Sequence, residues 1–251
     1  MTSEKLKVKS LLYHIYQILV LCPVTFFMTI WAGSTMAVMC SISRHPDWWA
    51  SFASRWWGRV IIRASLLPVT VEGTENIEPG TSYVFVSNHQ GSYDIFLVCG
   101  FLKAQIRWVM KRSLEKIPFL GIGCKRAGYI FVDKDNAGQV RRTYRNAEGA
   151  LKNGASVMIF PEGARTWTGK MRPFRKTAFM LADEFQLPVV PMTINGSFDV
   201  LPRRNDGKFI SWHPLRLTIH KPIYPQSKGA ENVERLMKES FDVISGALCD
   251  A

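Results

Sequence analysis

Between Ser10 and Ser43 the chain contains no Asp, Glu, Lys or Arg. A membrane-spanning helix needs about 20 apolar residues, and this run exceeds that. Lys5, Lys7 and Lys9 precede it, as charged residues precede the apolar part of a signal peptide. The run is too long for that purpose. Five cysteines with no C-x-x-C pair also fit a reducing compartment better than export. Arg44, Arg55, Arg59 and Arg63 follow the run, so both flanks are basic. A simple span prefers its positive charge on one side. Pro23, Thr25, Thr29, Ser34 and Thr35 further interrupt it. The expectation is a helix or helical hairpin that dips into the cytoplasmic leaflet and returns.

The stretch "HPDWWASFASRWWGRVIIRAS" extends this expectation. Pro46-Asp47 signals a helix start, and four of the eight tryptophans lie between Trp48 and Trp57. At helical spacing Trp49, Ala53, Trp56, Trp57, Val60, Ile61 and Ala64 share a broad face. Arg55, Arg59 and Arg63 form a separate stripe, with Trp48 and Phe52 on the arginine side. Tryptophan at headgroup level and guanidinium groups toward lipid phosphate suit a membrane interface.

Lys and Arg total 32 against 20 Asp and Glu, a formal net charge of +12. That surplus favours an anionic partner. The uncharged N-terminal run, and the lack of a recognised nucleic-acid motif, favour an anionic membrane over nucleic acid.

A boundary falls near residue 65. Residues 1–64 read as membrane-associating helices and 65–251 as one α/β body. In the body, β-rich runs at 69–71, 83–86, 106–109, 129–132, 157–160, 189–194 and 215–219 alternate with helical patterns. The helical patterns lie near 94–102, 137–152, 176–186 and 229–247. This alternation predicts an α/β fold with a largely parallel sheet and helices on both faces. Three strands run into polar loops: Ser87-Asn88-His89, Asp133-Lys134, and Pro161-Glu162-Gly163-Ala164-Arg165. Ligands of open α/β sheets bind outside the carboxyl ends of strands. Parallel strands would therefore bring His89, Asp94, Lys134, Glu162 and Arg165 to one crevice.

His89 and Asp94 suit a base and its orienting carboxylate, provided the strand-to-helix turn folds Asp94 back. There is no G-x-S-x-G elbow. Cys99 and Cys124 sit in apolar or glycine-rich surroundings that suit structural thiols. "LGIGCKRAG" matches neither nucleotide-binding glycine pattern. A base without a protein nucleophile implies that the nucleophile arrives as a substrate hydroxyl. Lys111, Arg112, Lys134 and Arg165 adjoin the crevice, and Arg165 can hold a phosphate in a bidentate fork.

"NHQGSYD" (88–94) resembles the N-H-x4-D motif of the glycerolipid acyltransferases. "GYIFVDK" (128–134), "FPEGART" (160–166) and "VVPMTI" (189–194) resemble their second, third and fourth motifs, in order. "WVMKRSLEKIPFLG" (108–121) resembles the connecting segment. Ala164 stands where Thr is usual and Lys134 where Arg is usual. The resemblance covers about residues 65–225 and is nearest to the short 1-acyl-sn-glycerol-3-phosphate acyltransferases, which begin with a two-helix membrane motif.

The resemblance implies that His89 is the general base, oriented by Asp94, for the hydroxyl of lysophosphatidic acid. It implies direct transfer from acyl-CoA or acyl carrier protein at the cytoplasmic face of the membrane, without acyl-enzyme, metal or cofactor. Glu162, Gly163 and Arg165 would shape the acceptor site, with Lys111 and Arg165 pairing its phosphate. Another lyso-lipid acceptor, or a non-catalytic phospholipid-binding protein, are the alternatives.

Overall fold

The structure, a computed structural model, describes residues 3–132, 151, 155–205 and 209–249. The expected Asp133-Lys134 loop, and most of the helix expected over 137–152, lie outside the described residues.

Helices α1 (Ser3–Tyr16) and α2 (Cys22–Ile42) form one continuous rod, joined by a π-helical turn at Gln17–Leu21. Proline has no N–H to give the preceding turn. Pro23 lies in the first turn of α2, and the π-turn just before it accommodates the break. The same turn directs Gln17 into the body. There its side chain donates to the Ile210 carbonyl (3.0 Å) and accepts from the Ile210 N–H (2.8 Å).

Ser43–His45 turn the chain into α3 (Pro46–Ala64), with Pro46 in its first turn. Contacts between Cys40 and Pro46, Trp31 and Phe52, and Thr29 and Trp57 show the two helices running antiparallel. Helix α3 buries Ala50, Ala53, Ser54, Gly58, Ile61 and Ile62. The tryptophans therefore divide. Trp48 and Trp56 are exposed, whereas Trp57 turns inward and donates to Thr29 (3.1 Å). The expected arginine stripe also divides, because Arg59 Nε donates to the Gly100 carbonyl (2.7 Å). That contact forms where Gly58 and Gly100 cross so closely that a side chain on either would collide with the other's backbone.

The body is a seven-stranded sheet in the order β1-β7-β6-β2-β5-β3-β4. Its strands are β1 (Val69–Glu72), β2 (Val84–Ser87), β3 (Ile106–Lys111), β4 (Ile130–Val132), β5 (Ser156–Ile159), β6 (Val189–Asn195) and β7 (Leu215–Ile219). Every pairing is parallel except β6 with β7. Central strands β2, β5 and β6 are buried along their whole length, as sheet strands covered on both faces must be. Pro191 accepts from the His220 N–H (2.9 Å) but cannot return the bond, so the antiparallel ladder ends at Met192.

Side chains alternate between two cores. Phe85, Met158 and Met192 pack with α2, α3, α4 (Tyr93–Phe101) and α5 (Leu120–Arg126). Val84, Val86, Val157 and Ile159 pack with α6 (Thr177–Phe185) and α8 (Ala230–Gly246). A short α7 (Ser197–Val200) follows β6. The first core contains Leu21, Ala32, Met36, Ala50 and Ala53, so the N-terminal helices are packed into the body.

Gly121 and Gly123 of "LGIGCKRAG" belong to a helix, α5, and Gly128 lies in the turn beyond its end. A side chain at Gly123 would collide with the backbone of Gly33, and one at Gly33 with that of Phe119. These glycines permit two helices to touch through their backbones.

Candidate active site

Asn88 begins the site by stitching β2 to β6. Its amide donates to the Ile194 carbonyl and accepts from the Ile194 N–H, both at 2.8 Å. The chain then turns through residues 89–92 into α4. Gly91 has no room for a side chain, because one would strike the carbonyls of Ser197 and Leu201. Asp94 falls in the first turn of α4, where a carboxylate is favoured by the helix dipole. Its Oδ2 accepts from the Gln90 N–H (2.8 Å) and the Gly91 N–H (3.0 Å) and meets His89 Nδ1 at 2.7 Å. The turn thus folds the carboxylate back onto the imidazole. Asp94 is fully buried.

His89 is fixed at four points. Its ring pairs with Asp94 and stacks on Phe160, with centroids 3.9 Å apart and planes 9° from parallel. Its N–H donates to Glu162 Oε1 (2.6 Å), and its carbonyl accepts from the Thr166 N–H (2.9 Å). With Nδ1 engaged, Nε2 is the ring nitrogen left for a ligand.

Strand β5 lies between β2 and β3. The Phe160–Thr166 loop is therefore set between His89 and Lys111. Glu162 is 2 % exposed, and its second oxygen accepts from the Arg172 N–H (2.8 Å). It does not line the cavity but braces the backbone beneath it. Burial pushes its carboxyl up to about 7, against the lowering effect of those two amide bonds. Gly163 takes a left-handed conformation (φ 75°) and lies against the Arg175 side chain. Arg165 donates through its guanidinium to Ser92 Oγ, beside the His89 loop. Lys111, at the end of β3, lines the same cavity. Lys134 lies outside the described residues.

The cavity has a volume of about 570 Å³, within the roughly 300–1,000 Å³ usual for small-ligand sites. His89, Lys111, Gly163 and Arg165 line its polar end. The interior runs between α2, α3, α4 and α5 past Trp57, Ile95, Cys99, Trp108, Cys124 and Tyr129. Burial raises the Cys99 thiol pKa and pushes that of Cys124 up to about 12. Neither is an activated nucleophile.

Arg175 and Arg203 also line the cavity, and sequence reasoning did not single them out. Arg203 donates to the Arg165 carbonyl (3.3 Å) and lies over the Trp167 ring at 4.3 Å. Arg175 follows the third motif by only nine residues, and that proximity was the available signal.

Comparison with known proteins follows the same residues. The family model described as Acyltransferase matches residues 68–195. The chain is 31 % identical over 198 residues to the 1-acyl-sn-glycerol-3-phosphate acyltransferase BAT2, chloroplastic, of Brassica napus, covering 77 % of this chain and 56 % of that one. It is 30 % identical over 169 residues to 1-acyl-sn-glycerol-3-phosphate acyltransferase alpha of Mus musculus, covering 67 % and 59 % respectively. It therefore spans a little over half the length of these relatives. Among solved structures, that of the 1-acyl-sn-glycerophosphate (LPA) acyltransferase PlsC from Thermotoga maritima superposes with a TM-score of 0.77 at 27 % identity. That match covers 96 % of this chain and 95 % of the other.

Proposed function

The chain belongs to the acyltransferase family, and from that we propose that it transfers a fatty acyl group from a thioester to the free hydroxyl of lysophosphatidic acid. The observation that carries this reading is the His89–Asp94 pair held at the polar end of an apolar cavity, beside Arg165. His89 Nε2 takes the proton of the acceptor hydroxyl while Asp94 stabilises the imidazolium through Nδ1–H. The acceptor oxygen attacks the thioester carbonyl carbon and forms the new C–O bond. The tetrahedral intermediate collapses with loss of the C–S bond, and the departing thiolate takes the proton from His89. The products are phosphatidic acid and a free thiol.

Arg165 and Lys111 pair the acceptor phosphate at the polar end, with Lys134 assigned to the same task by its place in the second motif. The apolar interior accepts the acyl chain. Acyl-CoA and acyl carrier protein both present a suitable thioester, and the steps use no metal or cofactor. The rod Ser10–Ile42 is 33 residues long, apolar and mostly unburied. With α3 it would hold residues 65–251 against the cytoplasmic leaflet of the cell membrane, as a two-helix anchor for the catalytic body.

The test is product identification by mass, using purified protein, labelled acyl thioesters of both kinds and a panel of lyso-lipids. Phosphatidic acid should form from lysophosphatidic acid with one thiol released per product. Loss of a charge-assisted pairing worth about 1.5–3 kcal/mol should make Arg165→Ala roughly tenfold to a hundredfold slower with phosphate-bearing acceptors. Uncharged acceptors should be little affected. Equal use of acceptors with and without phosphate by the wild-type protein would refute lysophosphatidic acid as the substrate.

A further inference from the structure

Two large apolar residues are held exposed in a backbone conformation that side chains rarely adopt. Leu66 (φ 57°) is 55 % exposed and Phe119 (φ 61°) is 49 % exposed. A water-facing turn with positive φ normally carries Gly or Asn. Strain at such positions persists only where the surroundings enforce it. Here both enforcing contacts involve the N-terminal rod or its neighbours. The backbone of Phe119 is seated against Gly33 of α2. The Leu66 carbonyl accepts from the Trp212 indole (2.9 Å), and the adjoining Ser65 carbonyl accepts from Tyr13 of α1 (2.7 Å).

Each strained residue has apolar company. Ile117 and Ile122 are exposed beside Phe119, and Phe209 and Trp212 are exposed on the segment next to Leu66. Phe209 stacks on His14 of α1 at 4.4 Å. The rod is thus flanked along its length by two segments of the body, and its own Leu11, Leu12, Ile18 and Leu19 are exposed as well. Lys116 and Arg126 are exposed around the Phe119 segment. Contiguous apolar side chains bordered by cations are the composition of a surface that enters an anionic leaflet.

We propose that residues 114–122, and Leu66 with residues 209–212, are membrane-inserting wedges of the catalytic body, and that their partner is an anionic phospholipid leaflet. This rests on the membrane reading of the N-terminal helices and extends it to a composite surface, one wedge meeting the rod at Gly33 and the other at Tyr13 and His14. Leu114 and Lys111 line the cavity at the first wedge, so insertion there sets the cavity at the level of the lipid headgroups.

The experiment compares full-length wild type, Ile117→Glu/Ile122→Glu and Phe119→Gly. Flotation with vesicles of phosphatidylcholine and phosphatidylglycerol reads binding, turnover of a short soluble lyso-lipid reads the site, and thermal melting reads the fold. The charged pair should weaken vesicle binding on the order of tenfold or more, from the lost burial of two isoleucines. Turnover of the soluble acceptor should stay unchanged. Phe119→Gly relieves the strained φ, so it should melt at the same or a higher temperature while binding vesicles less well.

Wild type failing to float would overturn the membrane reading itself. Wild type floating, with both variants floating equally well, would overturn the wedges alone. A change in self-association without a change in flotation would instead assign this face to a second copy of the chain, and also overturn the proposal.

Discussion

Replacing His89 with alanine should abolish acyl transfer and leave the protein folded. The ring is the only imidazole lining the cavity among the described residues. A positioned general base commonly contributes about 10²–10⁴-fold, so the fall in turnover should be at least of that size. Folding should survive because the bonds from His89 N–H to Glu162 and from Thr166 N–H to the His89 carbonyl are made by backbone atoms. Asp94→Asn should also be severely impaired, by a different route. Three groups converge on Asp94 Oδ2: His89 Nδ1 and the amides of Gln90 and Gly91. Asparagine can present its carbonyl oxygen to them and keep the turn. It has no charge with which to stabilise the imidazolium. Steady-state thiol release, with thermal melting as the fold control, measures both variants. Near-normal turnover by His89→Ala would sink the mechanism.

The next largest effect is expected at Glu162. Its two oxygens accept from two backbone amides, those of His89 and Arg172. Glutamine offers one carbonyl and one NH2, so one buried amide would face a donor. An unsatisfied buried group costs about 1–3 kcal/mol. If the amide left facing the donor is that of His89, the base shifts as well. A displacement near 1 Å can cost about 10²-fold in rate. Glu162→Gln should therefore lower kcat more than it raises KM, and also lower the melting temperature.

The pH dependence distinguishes this brace from an acceptor-binding carboxylate. Burial raises the carboxyl from its usual 4.5 to about 7, so the folded protein holds this proton more tightly than the unfolded chain. The resulting stabilisation is full below 4.5, declines as pH rises, and is gone above about 7. Activity should move the opposite way, since only the ionised carboxylate accepts both amides without opposing an O–H to one of them. The stability difference between wild type and Glu162→Gln should shrink as pH rises across that interval. A difference that stays flat would show that the carboxyl titrates in its ordinary range.

The order of elements was legible because the α/β signals are local. Each of the seven strand runs read from sequence lies within a residue or two of an observed strand. Strand direction was less accessible. Alternation marks Leu215–Ile219 as a strand, but only the pairing of β6 with β7 shows that it runs against its neighbour. The helical patterns read from sequence omit α5, because Gly121 and Gly123 lower its helix propensity; Gly123 meets the Gly33 backbone, which is distant in sequence. The tryptophan and arginine faces of α3 were read by angle alone. The crossing at Gly58 and Gly100 turns Arg59 toward the end of α4, and periodicity contains no trace of that contact.

Within the site, the spacing of His89 and Asp94 was suggestive only because a strand precedes the first residue and a helix begins at the second. Sequence grouped Glu162 with the polar loop, but its inward direction is set by the amides it accepts. Arg175 and Arg203 reach the cavity from outside the four motifs. Arg175 is marked only by its closeness to the third motif, and nothing in the immediate sequence of Arg203 marks it apart from the chain's many other cations.

Direct transfer from thioester to lipid hydroxyl is tested most closely by mixing purified protein with acyl thioester while lysophosphatidic acid is withheld. Free thiol and the intact mass of the protein are followed before and after the acceptor is added. The expected result is no stoichiometric thiol release and no mass increase until the acceptor arrives, then one thiol per phosphatidic acid formed. One equivalent of thiol released before the acceptor, with an acyl group on the chain at Cys99, Cys124 or any other residue, would contradict it.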